Sequence, residues 1–379
     1  MNTINRRSFL KTSVIGGVAT SFTGALGPFT SFDKQENLPP SVAITTGDNR
    51  ADMAFRALQP YSKQIKEAIG RRRVVLKPNM VSTEVPSCAT HVDTMEGILE
   101  FLKSIKKLNN VIIAESAGNA PAFEGFTNYG YFSLINKYPV KMVDLDTEGS
   151  EILYVSDEKD FRPHPVRFSK IILSPDSYVI SVARMKTHNL AVVTLSLKNI
   201  IFGSPVKDIG FRLGANSKEG TKSDKPVVHG SGSRGINYNL YSLASRVHPH
   251  LAVIDGFEGM EGNGPRLGTP VDHRVCVVST DWFAADRVAV ELMGVDLAKV
   301  GYLTYCAQTG LGTADLSQIE IIGESISNHV KHYKLHENIE QQLIWMKPVV
   351  GSFNPRRCPL ILDRSELWLL SSKKKSLYS

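Results

Sequence analysis

The residues best suited to chemistry fall in one run, from Lys186-Thr187-His188 through Leu197-Lys198-Asn199 to Gly203. It follows an apolar, strand-like stretch, Tyr178 to Ala183, so two lysines, a histidine and an asparagine gather where a strand stops. In open α/β sheets such strand ends line the ligand crevice. A histidine there can be an acid/base or a metal ligand, because its proton equilibrium lies near neutrality. A lysine in an apolar setting can lose part of its proton affinity and act as base, nucleophile or cofactor tether. The plain structural alternative is a capping histidine and a lysine paired with an acid.

Other strand ends supply partners. Val74-Val75-Leu76 reads as a short buried strand running into Lys77-Pro78-Asn79, and Pro78 stops the ladder, setting Lys77 and Asn79 on a rigid loop. His91 lies in the next loop, and His229 in the Gly/Ser/Lys-rich segment 203–235, whose length suits either a lid over a site or a mobile loop. Both loops follow strands and can reach the same crevice. The stretch from Asp255 to Pro265 carries acids at 255, 258 and 261 together with Asn263. It reads either as an oxygen-rich loop for a divalent metal or hydroxyls, or as a Gly-rich turn whose acids cap nearby amides. It fits neither a P-loop nor a dinucleotide fingerprint. The candidate catalytic residues are therefore Lys186, His188 and Lys198. The candidate ligand-binding residues are Lys77, Asn79, Asn199, Asp255 and Asn263, and His188 with His229 forms the candidate metal pair.

Positioning these residues needs a regular frame. Strands are expected at Ser41–Thr45, Val74–Leu76, Val111–Ala114, Val140–Leu145, Tyr178–Ala183, Leu251–Ile254, Arg274–Ser279 and Ile319–Ile322, with an extended excursion at residues 151–173. Helices are expected at Met53–Ile69, after Asp93 or Thr94, at Tyr238–Val247, at Trp282–Met293 behind an Asp281 cap, and at Tyr302–Gln308. Asp286 is read as capping or salt-bridging a helix. Short apolar strands alternating with helices indicate βαβ units, hence an α/β fold with a mostly parallel sheet and helices on both faces. A chain of 379 residues suits two domains or one large unit of this kind.

Charge and cysteine usage narrow the function. The net charge is +7, but residues 331–379 hold nine Lys/Arg against four Asp/Glu and the first 25 residues hold three basic residues and no acid. The body between is close to neutral, which removes the electrostatic argument for nucleic acid as a partner. The cysteines, Cys88, Cys276, Cys306 and Cys358, form no C-x-x-C, so no iron–sulfur cluster is expected, while one or two disulfides stay open after export. Tail histidines His329, His332 and His336 read as a solvated face.

The N-terminus, Asn5-Arg6-Arg7-Ser8-Phe9-Leu10-Lys11 followed by an uncharged segment to about Phe29, has the pattern of a twin-arginine export signal. It is too short and too weakly apolar for a stable membrane anchor. The expected order is a signal over 1–30, a linker over 31–40, an α/β domain over 41–323 and a tail over 324–379. The route predicts the translocation machinery as a transient partner and a periplasmic location. Because it carries folded proteins, it also suits a metal or metal-organic cofactor inserted before export.

Four motifs in order resemble the bacterial and archaeal family called domain of unknown function 362. They are Val75-Leu76-Lys77-Pro78-Asn79; Lys186-Thr187-His188 with Leu197–Gly203; Ile254-Asp255-Gly256 with Gly259–Pro265; and Asp281 with Ala285-Asp286. The resemblance runs from about Ser41 to Gly323. Many relatives carry clustered cysteines of ferredoxin type, which this chain lacks, so iron–sulfur electron transfer is not carried over. More weakly, His188 and Lys198 resemble the N-terminal motif of the nickel-pincer lactate racemases, where the histidine moves protons and the lysine tethers the cofactor. That likeness implies a cleft between two lobes, but Val193, Leu195 and Ser196 stand where the motif has glycines, and His229 is only the nearest counterpart of its second histidine. The expected function is a cofactor- or metal-dependent enzyme acting on a small anionic substrate. The alternative is a periplasmic protein that binds a small anionic ligand without altering it.

Overall fold

Branched apolar residues fill the strands of the domain and set its sheet. The computed structural model describes residues 39–347 except Ala215, so the proposed export signal, most of the linker and the last part of the tail, with Cys358, lie outside the described residues. The strands are β1 (Ser41–Thr46), β2 (Arg73–Pro78), β3 (Val111–Glu115), β4 (Val140–Asp144), β5 (Ser150–Ser156), β6 (Pro163–Ser169), β7 (Ser177–His188), β8 (Val192–Thr194), β9 (Leu251–Glu261), β10 (Thr269–Ser279) and β11 (Glu320–Gly323). One sheet has the order β11-β1-β10-β9-β7-β2-β3-β4, with β8 beside the end of β7. Its pairings from β9 through β7, β2 and β3 to β4 are parallel, as is β1 with β11; β10 runs antiparallel to both its neighbours. The fold is α/β with a mostly parallel sheet, as its βαβ pattern requires.

Alternation along the strands feeds two hydrophobic layers. Val75, Val179, Ala252 and Ile254 point into one, together with the helices Ser196–Gly203, Ser233–Ala244, Trp282–Leu292 and Gly301–Gln308. Val74, Leu76, Ile180, Leu251 and Val253 point into the other, against the helices Arg50–Leu58, Ser62–Ile69 and Val92–Ser104. Burial on both faces is what allows strands this short and this apolar to pair in parallel. The described residues from Pro40 onward make one compact unit rather than two lobes. Among them no helix is long and apolar enough to cross a membrane.

Several elements differ from the pattern read along the chain. The single helix expected over Met53–Ile69 is two, separated by a tight turn at Gln59–Tyr61, because Pro60 cannot donate to a continuing helix. The excursion at 151–173 is the antiparallel hairpin of β5 and β6. The stretch after Ile254, read as an oxygen-rich loop or a Gly-rich turn, is strand as far as Glu261, where β9 pairs with β10 across a bulge. His91, not Asp93 or Thr94, caps the helix Val92–Ser104, its Nδ1 accepting from Asp93 N. Cys88, Cys276 and Cys306 are buried free thiols. The first part of the tail lies against the domain: Tyr333 is buried beside His273, and Gln342 Oε1 accepts from Val192 N at 2.8 Å.

The contact between the helices Arg50–Leu58 and Val92–Ser104 is close enough that a Cβ on Gly97 would overlap the Ala51 carbonyl. Gly97→Ala should therefore lower stability by about 1–3 kcal/mol, because backbone rather than a flexible side chain must give way. Urea denaturation would measure it, and an unchanged midpoint would show that the two helices slide apart freely.

Candidate functional site

The helix Ser196–Gly203 is the platform of the site, and its own sequence does not explain its start. Leu195 stands at the N-cap position without a capping side chain. The buried carboxylate of Asp286 takes that role from another helix, accepting from Ser196 N at 2.7 Å and Leu197 N at 3.1 Å. Burial pushes the Asp286 carboxyl up to about 7, against the two backbone bonds that favour its anion. Asp281 caps its own helix through Ala284 N, as expected.

From this platform Asn199 ties β7 to the end of β2. Its Nδ2 donates to Lys77 O at 3.2 Å and Ser181 Oγ at 3.1 Å, while its Oδ1 accepts from Asn79 Nδ2 at 3.1 Å. Lys77 Nζ lies 2.8 Å and 2.9 Å from the two oxygens of Glu115. Gly203 sits over this lysine so closely that a Cβ there would overlap its Cε and Nζ. The motif glycine and the strand-end lysine are thus one packing unit.

Above this floor is a cavity of about 300 Å³, lined on its other side by Phe211, Leu213 and Ser223 and by Pro265 and Arg266. The loop 204–224 is fastened by Arg167, which pairs with Asp208 at 2.7 Å and Asp224 at 2.9 Å, and by the Arg212–Glu124 ion pair. Lys77, Lys198, Lys225 and Arg266 line the cavity, and Glu115 is the one acid in the lining. Lys225 Nζ rests near the carbonyls of Phe202 and Gly203, at 3.4 Å and 3.3 Å, the open C-terminal end of the platform helix. Lys198 Nζ sits 4.6 Å from the centre of the Phe202 ring and has no hydrogen-bond or ion-pair partner among the described residues. Burial pulls the Lys198 ammonium down to about 7, with Lys186 adding repulsion, and burial likewise pulls Lys225 to about 7.

His188 and His229 stack in the same cavity, ring centres 6.4 Å apart. Their hydrogen bonds set opposite tautomers. His188 Nδ1 accepts from Leu190 N and Ala191 N at 3.0 and 3.2 Å, so a neutral ring carries its proton on Nε2. His229 Nδ1 lies 2.8 Å from Lys225 O and must donate to it, leaving a lone pair on Nε2. Burial and the nearby lysines hold His188 well below its usual range, and the same causes bring His229 down to about 4. Both rings are neutral near pH 7, one presenting a donor and the other an acceptor. The pair therefore offers a metal a single lone pair. Among the described residues no group of three or more His, Cys, Asp or Glu side chains is placed to hold an ion. This donor set does not fit a resident metal.

The remaining candidates stand elsewhere. Lys186 is wholly buried, donating to Cys88 O at 2.7 Å, and burial lowers it to about 8. Asp255 follows Leu251 and Val253 onto the opposite face of the sheet, where it accepts from Thr94 Oγ1 at 2.7 Å and lies 3.6 Å from Arg50 Nε. Asn263 is exposed and accepts from Glu337 N. The acids of that stretch separate, Glu258 pairing with Arg184 and Glu261 accepting from Lys334 N, so they form no common oxygen cage. His91 is exposed beside Asp93. Sequence reasoning missed Lys225 and Arg266, which lie in polar loop segments with no periodicity to single them out. It also missed Phe202, Thr194 and Glu115, which read simply as core or strand residues.

The site belongs to an α/β protein with a cavity rich in basic residues at the carboxyl end of a mostly parallel sheet. The family described as Domain of unknown function (DUF362) matches residues 74–291, and the chain belongs to it. A thylakoid-associated protein of Synechocystis is 26% identical over 246 residues, covering 63% of this chain and 68% of that protein. A solved structure from Thermotoga maritima is 12% identical with a TM-score of 0.38, the match covering 71% of this chain and 61% of that one.

Two outcomes follow from this geometry. Asp286→Ala leaves two backbone N–H groups without their acceptor inside the core and should cost roughly 2–4 kcal/mol, read by chemical denaturation; a loss under about 0.5 kcal/mol would mean that the platform helix holds itself. Lys198 binds its proton more weakly folded, at about 7, than unfolded, at about 10.4, so the unfolded chain takes up more protons between those values. Its contribution to stability is fully present above about pH 10.4 and is lost as pH falls through about 7. Urea titrations across this window should show wild type gaining on Lys198→Met as pH rises, whereas parallel curves would place the ammonium in solvent.

Proposed function

We propose that this member of the family is an exported enzyme that binds a small anionic substrate in the cavity and moves protons on it with Lys198, His188 and His229. One observation carries the reading: among the described residues four basic side chains line the cavity against a single carboxylate, and that carboxylate is already committed to Lys77. Such an excess of positive charge in a partly dry space is stabilised by an anion, which returns the electrostatic energy lost on burial. Carboxylates and phosphates of modest size meet the requirement of charge and volume.

The two histidines and Lys198 favour an enzyme over a passive binder. A binder needs the cations, but it has no use for neutral rings held in opposite tautomers beside an amine that titrates near neutrality. The likeness of the His188 and Lys198 spacing to the lactate racemases, where the histidine moves protons, supports an acid/base role for His188. The proposal uses no metal step, since the donor set does not fit one.

Titration calorimetry with a panel of small carboxylates, phosphate and neutral analogues tests the site. Anions should bind, and Lys198→Met or Lys225→Met should weaken them tenfold to a hundredfold, the range for losing one charged hydrogen bond. Equal binding of neutral analogues, or binding indifferent to both variants, would remove the anion site.

We also propose, from Arg6 and Arg7, that the chain crosses the inner membrane folded by the twin-arginine route. Replacing both arginines by lysine should leave the protein in the cytoplasmic fraction. Undiminished appearance in the periplasm would contradict that route.

A further inference from the structure

Five lysines are buried around the carboxyl end of the sheet, and four of them have oxygen partners. Lys77 has Glu115, Lys207 has Asp146, Lys186 has Cys88 O and Lys225 has the carbonyls of Phe202 and Gly203. Among the described residues Lys198 has only the face of Phe202. An amine in an apolar pocket, next to other cations and free of hydrogen bonds, keeps an available lone pair.

We propose that Lys198 is a nucleophile that condenses with the carbonyl carbon of small oxo-carboxylates to form an imine, with Lys225 holding the carboxylate. The inference rests on the anion-site reading and names its substrate class. In the first step the neutral Nζ attacks the carbonyl carbon, the C=O π pair moves to oxygen, that oxygen takes a proton and Nζ gives one up, leaving a neutral carbinolamine with a lone pair on nitrogen. In the second that lone pair expels the hydroxyl, which leaves with a proton as water, and the protonated C=N bond that remains gives up its N–H proton to become the imine. No oxidant, reductant or metal is required. The two neutral histidines suit these transfers: His188 presents a donor on Nε2 and His229 an acceptor. Two buried oxygens of the lining, Asn79 Oδ1 and Thr194 Oγ1, have no hydrogen-bond partner among the described residues. A carbinolamine hydroxyl is a group that donates to such oxygens. A volume of about 300 Å³ admits on the order of ten non-hydrogen atoms, taking about 30 Å³ for each water-sized group.

The test traps the imine on the full-length protein. Wild type is incubated at about pH 7.5 with pyruvate, glyoxylate or 2-oxoglutarate and sodium cyanoborohydride, digested, and mapped by mass spectrometry. The expected product is a secondary amine on Lys198, at least tenfold above any exposed lysine, saturating with the oxo acid and suppressed by the matching hydroxy acid. Lys198→Arg should abolish the adduct. Modification of Lys198 no greater than that of surface lysines overturns the proposal. If calorimetry under the same conditions still shows anion binding, only the imine falls; if no anion binds and no adduct forms, the anion-site reading falls with it.

Discussion

An ammonium group is stable inside a protein only if something replaces its lost water, and this fold buries five of them around one end of its sheet. Two carboxylates and several backbone carbonyls satisfy four. The fifth, Lys198, faces an aromatic ring in a cavity whose lining is otherwise short of acids. The surrounding architecture can be read as what tolerates this imbalance. Asp286 pins the platform helix from behind, the Asn199 carboxamide locks β2 and β7 to it, and Gly203 leaves room for the Lys77 side chain. Rigid packing of this kind keeps the cations from relaxing into solvent.

The same rigidity explains the neutral histidines. Water around either ring would let it take a proton, but the hydrogen bonds to backbone fix each tautomer and the lysines oppose any added charge. Proton donors and acceptors are thereby separated by position instead of by pH. An anion entering the cavity would reverse part of this balance, raising the affinity of the lysines for protons while leaving the histidine tautomers in place.

Much of this frame was legible along the chain. Lys77-Pro78-Asn79, His188 and Lys198-Asn199 are polar residues at the ends of apolar runs, and strand ends of a parallel sheet converge, so their meeting follows from topology. The fold class followed from the same runs. Asp255 fails for an equally simple reason, because a period of two sends it to the face that carries Leu251 and Val253. Lys225 was hidden in a stretch of Gly, Ser and Lys where ordinary solvation is the reasonable reading; its burial against the carbonyls of Phe202 and Gly203 is a tertiary contact that no local pattern marks. The role of Asp286 was half visible: it caps a helix, but one some ninety residues away in sequence, and no local pattern announces such a partner.

The central claim is that Lys198 is a desolvated amine waiting for an anion. Its ionisation can be followed directly by NMR in protein whose lysines carry a ¹³C or ¹⁵N label at the side-chain end, assigned by comparison with Lys198→Arg. The account predicts that the resonance assigned to Lys198 titrates near pH 7 in the free protein and moves upward when a small carboxylate is added. A resonance that titrates near the ordinary lysine value of about 10.4 and does not move with any anion would contradict it.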